Sequence, residues 1–144
     1  MRAETIQVFV AKLLRESADR SFRAIDDFLP MNLTWSHGGG VFLPGISPTM
    51  GAHCDLGRVI DPQHRKRFGD DLGGVPEDQT ILALSLEFKT NTMTHLIRPG
   101  RYRLHLKIAG SNCTVVNKMI ELTIKGSWFI DETRMFSEGL GIGI

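Results

Sequence analysis

The sequence predicts an all-β protein, a single antiparallel β-sandwich with a short helical turn near its C-terminus. Three observations carry that expectation. Three segments in the second half alternate apolar and polar residues with period two, the pattern of strands with one buried face. Turn residues, Pro99-Gly100 and Gly110 to Asn112, separate these segments at hairpin distances. A chain of 144 residues is also long enough for one domain whose core needs no disulfide or metal to hold it together. The expected organisation is a sandwich over residues 1–130, followed by a helical turn and flexible tail over 131–144.

The elements follow in order. Near the N-terminus, Ile6, Phe9, Val10, Leu13 and Leu14 have helical spacing, whereas Ile6, Val8 and Val10 have strand spacing. Strand is preferred because these residues are β-branched and the rest of the chain reads β. In MNLTWS, Leu33 and Trp35 share a face, which predicts a short strand with a buried indole whose N–H needs a backbone acceptor. His37 to Gly40 then form a mobile glycine link. Met50, Ala52, Cys54 and Leu56 alternate with Gly51, His53, Asp55 and Gly57, a weaker strand ending in Val59 and Ile60. Residues 57–79, GRVIDPQHRKRFGDDLGGVPEDQ, are charged and glycine-rich, and read as a mobile loop available for function.

The second half is more regular. Leu82, Leu84, Leu86 and Phe88 form one apolar row in TILALSLEF. Tyr102, Leu104, Leu106 and Ile108 form another in YRLHLKIAG, and Ile120, Leu122 and Ile124 a third in KMIELTIKG. Together with Leu33, Trp35 and Leu56, these rows are the expected core. Pro99-Gly100 suits the centre of a type II turn. Asp131 is placed to cap one helical turn through Phe136, after which EGLGIGI reads as a frayed tail.

Composition excludes several function classes. Seventeen Lys and Arg against sixteen Asp and Glu leave a formal net charge of +1, so no overall field favours nucleic acid, an anionic membrane or an acidic substrate. Two cysteines, Cys54 and Cys113, form no CxxC pair and are expected as free thiols in a reducing compartment. The N-terminus carries Glu4, Glu16 and Asp19, unlike a signal peptide, and no apolar run is long enough to span a bilayer. The expected location is the cytoplasm.

Motifs that suggest chemistry are weak. WSHGGGVF resembles the oxyanion-hole loop of esterases, but no GxSxG nucleophile elbow accompanies it. Gly139, Gly141 and Gly143 lack the following helix that a phosphate loop requires. The paired carboxylates Asp26-Asp27 and Asp70-Asp71 have no apolar pocket to separate their pKa values. His37, His53 and Asp55 are metal-capable, and on a strand His53 and Asp55 would share a face, but their spacing matches no zinc motif. Arg65, Lys66 and Arg67 beside Phe68 form a basic cluster able to meet phosphates and stack on a base, partly offset by Asp70 and Asp71. Arg101, Arg103, His105 and Lys107 form a second basic row on the outward face of one strand.

LIRPGRYRLHLKIAGSN resembles the approach to the penultimate strand in immunoglobulin-like and fibronectin-III-like sandwiches. The resemblance implies that the Tyr102 hydroxyl ties the Pro99-Gly100 corner to nearby backbone. With LPMNLTWS, CDLGRVI and MIELTIKGSWF, the chain also resembles bacterial proteins built on such a sandwich to which no activity is assigned. Six strands are recognisable where the family has seven or more. Either a further strand lies within residues 17–30 or 38–48, or the sheet has an exposed edge that invites pairing with another chain. The expected function is therefore a non-catalytic binding or protein-interaction module without a cofactor. Its partner would be another protein or a second copy, meeting a sheet edge or the loops 37–49 and 57–79. The alternatives are a small metal-dependent hydrolase using His37, His53 and Asp55, or a polyanion-binding module using Arg65, Lys66 and Arg67.

Overall fold

The computed structural model describes residues 3–35, 43–46, 54–67, 74–88 and 94–143. Within them run ten strands: β1 (Ala3–Glu16), β2 (Phe22–Ala24), β3 (Met31–Asn32), β4 (Leu43–Ile46), β5 (Gly57–Ile60), β6 (Ile81–Leu84), β7 (Leu96–Ile97), β8 (Gly100–Gly110), β9 (Cys113–Ile124) and β10 (Leu140–Gly143). They form two antiparallel sheets. The larger has the order β10-β9-β8-β1-β2, with β3 and β4 paired to other stretches of β1, and the smaller has the order β5-β6-β7. One core contains residues of both, among them Val10, Leu104 and Leu122 from the larger sheet and Leu82, Leu84 and Ile97 from the smaller. Strands β2 and β4 fall within the two stretches, 17–30 and 38–48, where an additional strand was expected.

The N-terminal segment is a strand, and a bulge explains its helical spacing. Ile6, Val8 and Val10 are buried in alternation. Val10 is registered with Leu106 but Lys12 with His105, so Ala11 is an extra residue in β1. The bulge absorbs it, so Leu13 stays on the core face. Val10 and Leu13, three apart as on a helix, are thereby buried together.

The segment from Met31 to Trp35 joins the two sheets. Leu33 N–H donates to the Val8 carbonyl of β1, while Thr34 N–H donates to Ser85 just beyond β6. Leu33 and Trp35 are buried as expected, and the indole N–H of Trp35 donates to the Ile6 carbonyl at 3.3 Å.

The chain changes sheets between β7 and β8. Tyr102 is buried at this corner, and its hydroxyl donates to the Arg98 carbonyl at 2.7 Å. Gly100 opens β8 with φ of +153°, far from the roughly +80° of a type II turn, so the expected turn is corrected to a strand start. Glycine is still favoured there, since L side chains rarely adopt that φ. The predicted hairpin between β8 and β9 forms, with Gly110 registered against Cys113.

Three expectations are corrected. Phe88 lies beyond β6 and is 65% exposed, because the apolar row continues past the end of the strand. Residues 57–79 are not simply a loop: they contain β5 and the helix α1 (Pro62–Arg67). Asp61 accepts from Gln63 N–H at the start of α1, and Pro62 suits the first helical position, where no N–H is needed. This segment contributes Ile60 to a second, smaller core with Ile81, Ala83 and Leu96, so β6 is buried on both faces. Finally, the C-terminus is not a frayed tail. Asp131 does cap a turn, α2 (Glu132–Arg134), accepting from Thr133 and Arg134 N–H. A π-helical turn, Met135–Gly139, then leads into β10, which pairs with β9 and buries Leu140.

Candidate functional site

The residues singled out for chemistry do not come together among the described residues. His37, His53 and Phe68 lie outside them, as does the HGGG run. Asp55 is exposed beside Cys54. Among the described residues, no group of three His, Cys, Asp or Glu side chains could hold a metal ion. Cys54 is a free thiol whose Sγ donates to the Thr34 carbonyl. Burial, with the nearby Asp55 charge adding to it, pushes its pKa up to about 11. A thiol so protonated at neutral pH is a poor nucleophile.

Arg65 corrects the expected basic cluster. Its side chain is buried, and its guanidinium donates to the carbonyls of Pro76 at 2.8 Å, Gln79 at 2.7 Å and Val75 at 3.3 Å. Arg65 thus fastens α1 to the segment that returns to β6. Nη1 and Nη2 are directed at backbone carbonyls and not at an external phosphate. Lys66 and Arg67 belong to the same helix.

The strongest site geometry lies at the edge of the larger sheet. Along its outer side, β9 is paired by β10 only from Glu121 to Ile124. No described strand pairs with residues 113–120 on that side. This stretch is exposed up to Met119 and carries Val115, Val116 and Met119 at 49%, 45% and 39% exposure. Consecutive β-branched residues favour the extended conformation, and an unpaired strand presents main-chain N–H and C=O groups to solvent. The sequence signal was present in TVV, which extends the apolar pattern upstream of Lys118 onto both faces.

Two features lie elsewhere. On the outer face of the larger sheet, Arg101 pairs with Glu16 at 2.8 Å and Arg103 with Glu121 at 3.1 Å, while the Arg103 guanidinium stacks 3.9 Å from the Phe22 ring centroid. The row predicted from sequence is therefore engaged at Arg101 and Arg103. Between β5 and the C-terminal segment lies an apolar cleft of about 430 Å³, whose walls include Leu56, Val59, Leu82, Leu122, Trp128 and Met135.

The comparisons with known proteins add no assignment: the chain matches no family model, no curated protein and no solved structure. No helix among the described residues is long and apolar enough to cross a membrane.

Proposed function

We propose that this protein is a non-catalytic interaction module that receives an extended segment of another polypeptide along the free half of β9. The observation that supports this reading is the run of residues 113–120, whose outer side no described strand pairs, with two adjacent valines exposed. In strand addition, main-chain hydrogen bonds provide affinity and alternate side chains provide selectivity. The edge already accepts one strand, since β10 covers its other half, so an incoming strand would continue the line of β10. We read the two sheets as an immunoglobulin-like sandwich, a reading supported by their common core and by the Tyr102 corner. Such a frame would hold the edge rigid.

The test is selection of extended peptides on the full chain, followed by amide exchange of the complexes. Slowed exchange confined to residues 113–120 and their β8 partners supports the reading. Binders that protect only the apolar cleft, or no binders at all, overturn it.

A further inference from the structure

We infer that the strand taken up by β9 is acidic, a conclusion that rests on the strand-addition reading and names the chemistry of its partner. A groove of about 390 Å³ adjoins the free half of β9, and its lining includes Lys12, His105, Lys107, Asn117, Lys118 and Met119. No carboxylate is among the residues that line it. The register explains the convergence. Asn117 is opposite Lys107 and Met119 opposite His105 across β8 and β9, while Lys12 of β1 is opposite His105 on the other side. The groove therefore starts at the edge strand and runs inward across three strands.

The outward arginines of β8 are compensated, whereas among the described residues the lysines here are not. Arg101 and Arg103 have carboxylate partners, but among the described residues none of Lys12, His105, Lys107 and Lys118 forms an ion pair. A strand added to β9 would lie roughly 4.8 Å away, with alternate side chains on each face. Acidic side chains at alternate positions come within reach of Lys107 in one phase and, because Lys118 is opposite Leu106 and so on the other face, of Lys118 in the other phase. Opposite charges across strands stabilise a sheet and like charges destabilise it, so a basic segment is selected against. Complementary charge also accelerates encounter. A nucleic acid could satisfy the lysines but would leave the edge N–H and C=O groups and the exposed valines unused, which favours a peptide.

The experiment measures binding of labelled eight-residue β-forming peptides to the full chain by fluorescence anisotropy. One peptide carries Glu at alternate positions, a second carries Lys there, and two more repeat the acidic sequence with N-methyl groups on alternate residues in either phase. The acidic peptide is expected to bind, the lysine peptide not, and one N-methylated phase to lose binding. Combining Lys107→Glu with Lys118→Glu should weaken the acidic peptide roughly tenfold, the sum of a few exposed ion pairs, and should improve the lysine peptide. Equal binding of acidic and lysine peptides at residues 113–120 overturns the charge preference but leaves strand addition standing. Acidic binding indifferent to both N-methylated phases, or displaced by single-stranded DNA, overturns the proposal in favour of a general polyanion surface. Failure of every peptide overturns both readings.

Discussion

At Tyr102, a hydroxyl of β8 ties down the link through which the chain passes from the smaller sheet to the larger. The phenol is buried and donates to Arg98, so Tyr102→Phe leaves that carbonyl without this donor while keeping the ring packed. The expected loss is about 1 kcal/mol, the net value of one such bond, read as a lower denaturation midpoint. An unchanged midpoint would mean that the corner bond contributes nothing. The same burial makes stability sensitive to alkali. Desolvation raises the Tyr102 pKa against the opposing charges of Arg15 and Arg98, and raises Cys54 from 9.0 to about 11. An acid with a raised folded-state pKa keeps its proton longer in the folded state than in the unfolded one. Its contribution is therefore complete below the unfolded value and lost as pH rises through the folded value. Stability should fall between pH 9.0 and about 11, and Cys54→Ser should reduce that fall. At neutral pH an alkylating reagent should modify exposed Cys113 well before Cys54, and equal rates would contradict the burial of the latter thiol.

At the scale of the element, β1 shows how a strand absorbs one residue too many. Ala11 is the extra residue of the bulge, and the bulge keeps Leu13 on the buried face. Deleting Ala11 leaves Val10 opposite Leu106, Lys12 opposite His105 and Leu13 opposite Leu104 in an unbroken ladder, so Leu13 stays buried. The deletion should cost far less than Leu13→Ala, which is expected to lose about 3 kcal/mol, both measured by denaturant unfolding. Equal losses would show that the ladder cannot close without Ala11. The bulge also shows what a sequence reveals and what it conceals. Periodicity identified β8 and the second half of β9 because each has one dry and one wet face over its length. It did not identify β7, which is only Leu96–Ile97, or β10, whose LGIG offers two apolar side chains among glycines. Such strands are specified by the neighbours that receive them. The burial of Arg65 was likewise hidden, because a basic residue in a charged stretch looks solvated until the three carbonyls around it are in place. A free edge was among the expectations, but its location was not, since that depends on which strands become the neighbours of β9.

For the whole molecule, the net charge of +1 conceals an uneven distribution that bears on whether the partner is a second copy. Two chains pairing through their β9 edges would bring two copies of the groove lined by Lys12, His105, Lys107 and Lys118 to one interface, and residues 113–120 contribute no carboxylate to neutralise them. Repulsion between exposed charges is strongest at low ionic strength and decays over about 10 Å at 0.1 M salt. Apolar pairing of Val115, Val116 and Met119 opposes it and is not screened. The chain is therefore expected to be monomeric at low salt, with any self-association rising as salt increases. Light scattering over a salt series at fixed protein concentration checks this. A dimer that is tightest at low salt and dissociates as salt rises would require attractive charges at the interface, and would place the self-contact somewhere other than the basic edge of β9. Lys118→Glu separates the two cases, because it removes like charge from a β9 interface and should strengthen pairing there at low salt while leaving a contact elsewhere unaltered.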